Sequence, residues 1–404
     1  MASRNTRTIP DDEELADAPR TARRRAGEAP RRRTTPSASG RRSRTTAAQA
    51  PRRRSTGARI GRGIMLALSL LTAAALIVTA YAGHLSPISH SALWGVLPLA
   101  FPICFWTALV LMLCQLLWHW RGVLVLAVAF IACGGPALDY FPLNFVKPKA
   151  PAGATTFKLL TYNVLSTSPR GEQMEYVLDT DADIVCLQEV QFPLTAPKSA
   201  LTPAQIDSIS ARYPHMSYGG RTAQQLMMSK YPIEPIHLDV TKSNFAGGDV
   251  AAYRVTLPTG RRLTVFNVHM ASMNISLREV SRDSVNRNHA ERIVTKLARA
   301  ARERAREVNK LRQWLRQYGG PDVIICGDFN DVAGCYTMHS LADAGFHQTY
   351  PEVGLGPMVT YNEKRLYFCI DHALYRGDLR PLALKKGTLR ASDHYPLLIT
   401  FAVE

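Results

Sequence analysis

From Gly63 to Trp120 the chain carries no Lys, Arg, Asp or Glu, and this run of 58 uncharged residues severely limits its surroundings. A single bilayer crossing needs only about 20 apolar residues, so the run is long enough for two. The polar stretch "GHLSPISHS" (Gly83–Ser91) divides it into two predicted helices, Ile64–Ala82 and Leu93–Trp118. Pro98 and Pro102 predict a kink in the second, which membrane helices tolerate because their neighbours satisfy the freed backbone groups. A third apolar stretch, Gly122–Leu138, holds 17 uncharged residues interrupted by Gly134-Gly135-Pro136, at the lower limit for a span. The apolar core is too long and too deep in the chain for a signal peptide. Residues 60–138 are therefore expected to form a transmembrane region with three helices, at about 64–82, 93–118 and 122–138.

The net charge of +17 would point to nucleic acid if it were spread over the chain, but it is not. Residues 1–63 hold 17 Arg and 6 acidic residues, whereas residues 151–404 hold 29 basic and 25 acidic ones. Residues 1–58 show no apolar period and cannot bury enough surface to offset ordering entropy, so a disordered tail is expected there. Lys and Arg favour the cytoplasmic side of a membrane, and Arg121 between the second and third segments agrees with a cytoplasmic tail. Three spans then place everything after residue 139 outside the cytoplasm. Seven cysteines without a CxxC or paired spacing exclude a disulfide framework and a zinc site. Cys186 and Cys326, inside apolar runs, read as small buried residues.

Residues 139–155 form a linker that ends in the Pro/Ala/Gly-rich "FVKPKAPAGATT", and from 156 the pattern changes. Short β-rich runs occur at Phe157–Asn163, Ile184–Gln188, Gln225–Ser229, Val250–Leu257, Arg262–His269, Val323–Cys326, Cys369–Tyr375 and Pro396–Phe401. Helices are expected at Glu172–Thr180 and Thr202–Arg212, near Cys335–Ala344, and within Leu277–Tyr318. Such a mixture over residues 156–404 predicts a layered α/β domain.

Several of these runs lead into polar residues that chemistry can use. "LLTYN" ends at Asn163, "DIVCLQE" at Glu189, "LTVFNVH" at His269, and "VIICGDFN" at Asp328 and Asn330. The last strand is preceded by "SDH", Ser392–His394. Each alone has an ordinary explanation as a strand end, a core histidine or a turn cap. Together they supply mostly oxygen donors with some imidazole, which favours Mg²⁺, with Mn²⁺ or Ca²⁺ as alternatives, over zinc. Carboxylates, amides and histidines around a hard cation are what metal-assisted phosphoester hydrolysis needs.

"TYNV", "DIVCLQEV", "NVHM", "GDFN", "IDHAL" and "SDHYPL", in this order, resemble the endonuclease/exonuclease/phosphatase superfamily over about Thr155–Val403. The resemblance implies a four-layer α/β sandwich, two mixed sheets face to face with helices outside. It implies Glu189 as principal metal ligand, with Asn163 on metal or phosphate and Asp393 completing the site. It implies Asp328 and Asn330 as holders of the attacking water or scissile phosphate, and His269 as a donor to a phosphate oxygen. Finally, it implies His394 as the acid/base or electrostatic histidine, oriented by the Asp371 carboxylate. Which of Asp328 and His394 deprotonates water stays open at this stage.

Substrate class also stays open between nucleic acid and a phospholipid head group or small phosphoester, and the lipid bilayer is the expected partner. No protein partner is predictable, and a non-catalytic binding module on the same fold is the competing class. From Arg278 to Arg316 there are 12 basic and 5 acidic residues. This stretch reads first as a solvated helix with pairs around Glu303 and Glu307, and second as a surface for anionic lipid or DNA. Arg221 and Lys230 are candidate phosphate neighbours. Tyr162, Phe329 and Tyr395 read as packing residues. Cys335 and Cys369, near the expected site, have no base arrangement that would make either a nucleophile.

Overall fold

Alternation along β1 (Thr155–Asn163) turns Phe157 and Leu159 to one face and Leu160 and Tyr162 to the other, and both faces are buried. A strand covered on both sides must lie inside a layered domain, and the computed structural model shows the layers. It describes residues 56–403 apart from 118, 166–170, 192, 197–198, 274–286 and 364–365. The tail expected over residues 1–58 lies almost entirely outside the described residues.

One six-stranded sheet contains, besides β1, β2 (Ile184–Gln188), β3 (His215–Gly219), β4 (Gln225–Ser229), β13 (Leu379–Lys386) and β14 (Leu397–Val403), in the order β13-β14-β1-β2-β4-β3. The second contains β5 (Ile233–Ile236), β6 (Asp249–Thr256), β7 (Arg262–His269), β8 (Val323–Asp328), β9 (His347–Gln348) and β12 (Asp371–Arg376), in the order β5-β6-β7-β8-β12-β9. A separate hairpin joins β10 (Tyr361–Glu363) to β11 (Leu366–Phe368). Within the sheets β1 pairs parallel with β2 and β7 parallel with β8; the other pairings are antiparallel.

Phe157, Leu159, Ile184, Met227, Val265, Ile324, Ile399 and Phe401 fill the space between the sheets. The outer face of the first sheet is covered by helices Gly171–Thr180 and Pro203–Arg212, through Val177 and Ile209. That of the second is covered by the long helix Arg287–Tyr318, through Val308, Leu311 and Trp314. The fold is thus the four-layer α/β sandwich expected from the sequence.

The long helix is less solvated than its charge implies. Arg299 and Glu303 do form an exposed pair at 3.0 Å. Arg304 and Glu307, however, are buried. Arg304 pairs with Asp331 at 2.9 Å and donates to the Ala271 carbonyl at 3.1 Å. Glu307 accepts from the amides of Gly247, Gly248 and Ala271 at 3.1, 2.9 and 2.8 Å. The solvated reading fails at these two positions because one helix face belongs to the core.

Before the sandwich come α1 (Thr56–Tyr81), α2 (Phe101–Gln115), α3 (Trp120–Ala132) and α4 (Gly134–Tyr140). Short 3₁₀ turns extend α1 to His84 and begin the second segment at Ala92. Thr56–His84 and Ala92–Gln115 are each long and apolar enough to cross a membrane. The third apolar segment is bent by 68° between α3 and α4, so it counts as a crossing only if the pair is taken as one broken span. Gly134-Gly135-Pro136 stands at this break and favours it. Inside the bundle Ser69, Gln115 and His119 are buried and hydrogen-bond one another.

The ends of α1 and α4 and the start of the second segment all meet the sandwich. A Cβ on Gly83 would lie 1.9 Å from the Gly334 carbonyl oxygen, so only glycine permits this backbone approach. The Tyr140 hydroxyl donates to the Pro98 carbonyl at 3.1 Å and accepts from the Gly334 amide at 3.2 Å. Asn144 donates to the carbonyls of Pro351 and Gly354 at 2.8 and 2.9 Å.

Candidate active site

Between the sheets the buried face changes character along each strand. On β1 it runs Phe157, Leu159, Thr161, Asn163, and on β2 Ile184, Cys186, Gln188. On β7 it runs Leu263, Val265, Asn267, His269, and on β8 Ile324, Cys326, Asp328. The parallel pairings β1–β2 and β7–β8 align these ends, setting Asn163 beside Gln188 and His269 beside Asp328. Asp371, at the start of antiparallel β12, is also paired with Asp328. One end of the interior is therefore apolar and the other carries the ionisable groups.

Gly327 makes the β7–β8 approach feasible: its φ is 140°, and a Cβ there would lie 1.9 Å from the Val268 carbonyl oxygen. Just past the strand ends Glu189 and Asn330 adopt φ of 58° and 50°, left-handed turns that carry local strain. Asn330 shares a side with Asp328 because of this turn; strand alternation stops at Asp328. Phe329 packs the other way, into the core beneath the long helix.

The eight residues singled out from the sequence come together. The Asn163 amide donates to Glu189 Oε1 at 2.9 Å and to Asp328 Oδ2 at 3.0 Å, and its oxygen accepts from the Leu165 amide at 3.0 Å. That is the geometry of a bridge between carboxylates. Asn330 donates its backbone N–H to Asp328 Oδ1 at 2.8 Å, and its side-chain amide to Asp328 Oδ2 at 3.2 Å and the Met270 carbonyl at 3.0 Å. His269 Nε2 lies 3.5 Å from Glu189 Oε1 and 3.7 Å from Asp328 Oδ2. His394 Nδ1 meets Asp371 Oδ2 at 2.8 Å, with its Nε2 3.5 Å from Asp328 Oδ2. The Ser392 hydroxyl donates to the Asn163 carbonyl at 2.9 Å, ties to Asp393 Oδ1 at 3.2 Å, and accepts from the His394 amide at 3.1 Å.

Electrostatics follow from this crowding. Burial alone would lower the His394 ring, but Asp371 and Asp328 more than offset it and hold the pKa up at about 10. His394 is thus imidazolium at neutral pH. Burial pushes the Asp328 carboxyl up, with His394 pulling partly back. Burial raises Asp393 as well, and the nearby Glu189 carboxylate adds to it.

Two groups have ligand atoms close enough to share a cation: Glu189, His269 and Asp328, and Asp328, Asp371 and His394. In the second, the Asp371–His394 hydrogen bond already occupies the pair. The first lines an open cleft of about 470 Å³ together with Asp393. The carboxylates of Glu189, Asp328 and Asp393 in a half-buried cleft make an oxygen-rich donor set, and a hard divalent cation fits it.

Sequence reasoning missed the layer beneath. Gln188 donates to Asn267 Oδ1 at 2.7 Å and Thr161 Oγ1 at 3.0 Å, while Asn267 donates to the Leu187 carbonyl at 3.0 Å. This buried amide pair ties one sheet to the other directly under the site. Its signal was the placement of two polar residues, Gln188 closing one apolar run and Asn267 interrupting another, where such groups are costly unless paired. Arg221, Lys230 and Cys335 do not line the cleft. Arg221 donates its amide to Asp249, and Lys230 pairs with Asp181 and Asp183.

Residues 160–394 match the family model described as the endonuclease/exonuclease/phosphatase family. Among solved structures, the chain is similar to an endonuclease/exonuclease/phosphatase from Beutenbergia cavernae, at 15% identity and TM-score 0.45, covering 61% of this chain and 72% of that one. It is similar to the human Nocturnin catalytic domain at 15% identity and TM-score 0.44, covering 63% and 99%. A Bacteroides thetaiotaomicron mannosyl-6-phosphatase gives 13% identity and TM-score 0.40, covering 61% and 99%. No curated protein matches the chain.

Proposed function

The chain belongs to the endonuclease/exonuclease/phosphatase family, and we propose that it is a membrane-anchored, divalent-metal-dependent phosphoesterase. The observation that carries this reading is the convergence of Glu189, His269, Asp328, Asp393 and the Asp371–His394 pair at the polar end of the sandwich. Glu189, as principal ligand, and Asp393 would hold the cation, Mg²⁺ first and Mn²⁺ or Ca²⁺ as alternatives. When bound, that ion polarises a phosphoryl oxygen and offsets charge in the transition state.

The chain's own residues supply the rest. Asp328 accepts the proton of the attacking water, since burial has made its carboxylate more basic. The water oxygen bonds to phosphorus, the ester P–O bond breaks, and the leaving oxygen takes a proton from solvent. Asn163 and Asn330 hold Asp328 in place. His394, kept cationic by Asp371, stabilises charge on the phosphoryl oxygens, and His269 donates to one of them. This reading gives Asn163 and Asn330 positioning roles ahead of direct contact with metal or phosphate.

The three-segment bundle supports a catalytic domain on the far side of the membrane from the Arg-rich tail. Arg59, Arg62 and Arg121 stand at the end of the bundle away from the sandwich. A reporter fused after Val403 that works only in the cytoplasm is expected to be silent, and activity there would refute this topology. The enzymatic reading is tested with the full chain in detergent, on plasmid DNA, RNA, phospholipids and a chromogenic phosphodiester. Hydrolysis is expected with Mg²⁺ or Mn²⁺ and is abolished by EDTA. Metal-independent turnover would sink it, and no turnover on any substrate would favour a binding module.

A further inference from the structure

The cleft has two unlike walls. One carries Glu189, His269, Asp328, Asp393 and His394; the other is built by Val96, Leu99 and Ile103 of the second membrane segment with Ile293 and Leu297 of the long helix. The apolar wall is anchored, because Leu99 and Leu297 pack on a buried cluster of Met273, Val332, Cys335 and Ile370. Membrane helix and catalytic groups thus enclose one cavity.

That wall does not stop at the rim. Leu99, Ile103, Trp106 and Val110 follow one another at helical spacing and form a single stripe. Ile103 lines the cavity yet is 70% exposed, and Trp106 and Val110 below it are 49% and 58% exposed. The stripe leads from the phosphoester site onto the outer apolar surface of the bundle. Leu143, Phe145 and Leu355 are also exposed where the bundle joins the sandwich.

Among the described residues, no Lys or Arg lines the cavity. A nucleic acid brings phosphates on either side of the scissile one, and these need cationic partners. It also brings no hydrocarbon chain to lie along Leu99, Ile103, Ile293 and Leu297. We infer that the substrate is a lipid phosphoester whose phosphate reaches Asp328 and His394 while its hydrocarbon chain lies along the Leu99–Ile103–Leu297 wall. The membrane segment is then part of the substrate site as well as an anchor. This inference rests on the phosphoesterase reading above, and the hydrolytic step is the one given there.

The test uses the full chain in phosphatidylcholine nanodiscs, with methyl, butyl, octyl and dodecyl esters of p-nitrophenyl phosphate. kcat/KM is expected to rise about fourfold per methylene that the wall covers. Ile103→Asn and Leu297→Asn are expected to cut the dodecyl-to-methyl ratio by tenfold or more, whereas Val128→Asn, on the outer bundle surface, leaves it intact. Binding of dodecyl phosphate against inorganic phosphate, by titration calorimetry, gives a readout that does not need turnover. Chain-length-dependent binding that Ile103→Asn abolishes, without hydrolysis, would uphold the wall and defeat the catalytic reading. Equal kcat/KM for methyl and dodecyl esters, or a ratio that survives both wall variants, would overturn the lipid assignment and leave the catalytic reading standing.

Discussion

Large aliphatic residues behave in opposite ways in the two halves of this molecule. In the sandwich Leu397, Ile399 and Phe401 are wholly enclosed by other protein atoms. In the apolar helical segments before it Leu117 and Ile131 are 95% and 81% exposed, although Leu76 and Leu126 form a small buried centre. Water would make such an outer surface very unfavourable, whereas lipid chains are as apolar as the side chains themselves. The sandwich therefore completes its own hydrophobic burial, and the bundle depends on its surroundings to do so. At the cleft, the carboxylates of the first face the aliphatic wall of the second.

Truncation in the sandwich core is expected to have the largest effect. Phe401 stacks on Phe157 with ring centroids 5.6 Å apart and is fully buried. Phe401→Ala is expected to cost about 3–5 kcal/mol of stability, since the lost transfer energy adds to an unfilled cavity. Thermal unfolding of the full chain in a fixed detergent measures it. A loss below about 1 kcal/mol would mean that the two halves are not as different as their burial implies.

Next comes the polar end of the same interior. Glu189→Gln keeps the shape of the side chain and removes its charge, so the fold should survive while turnover falls by about 10²–10³. Near-normal turnover with a stable fold would remove Glu189 from the cation site. Asp371→Asn is expected to act less strongly, about 10²-fold, and to leave a signature in pH. With Asp371 present the His394 pKa is raised to about 10, so a rate that needs the imidazolium persists through neutral pH and falls as pH approaches that value. Any stability from the pair is complete below the ordinary histidine pKa and is lost as pH rises through about 10. Asp371→Asn removes a principal cause of the raised pKa, so the alkaline fall in kcat/KM must move to lower pH. An unmoved profile would separate His394 from the rate.

Much of the sandwich was legible because its core strands are short, nearly continuous apolar runs, buried on both faces. β2, β4 and β7 have the bounds that their apolar runs predicted. β13 was not legible: "LRPLALKK" mixes Arg, Pro and Lys into a strand at the edge of its sheet, where one side needs no apolar partner. β3 and β5, whose residues are mostly half-exposed or exposed, were missed for a similar reason. The site was legible residue by residue, because Asn163, Glu189, His269 and Asp328 all come at or just past strand ends. What supports it was not. The Gln188–Asn267 and Arg304–Asp331 pairs join residues far apart in sequence, and nothing local announces which buried polar group will meet which. The apolar wall from Leu99 and Ile103 was hidden for a different reason: in a segment where nearly every residue is apolar, none stands out.

The smallest expected effect bears most directly on the bundle. If lipid covers Ile131, Ile131→Ala exchanges one apolar surface for another and should change stability by less than about 0.5 kcal/mol. Ile131→Asp at the same position should be strongly unfavourable, because a charge on that face would have to be taken into hydrocarbon. The two variants together discriminate between coverings. Lipid tolerates alanine and rejects aspartate, whereas a second copy of the chain packed on Ile131 would be disturbed by both, with association lost in Ile131→Ala. Tolerance of both would mean that this face meets water, and the contrast between a self-contained sandwich and a lipid-dependent bundle would then fail at its most exposed residue.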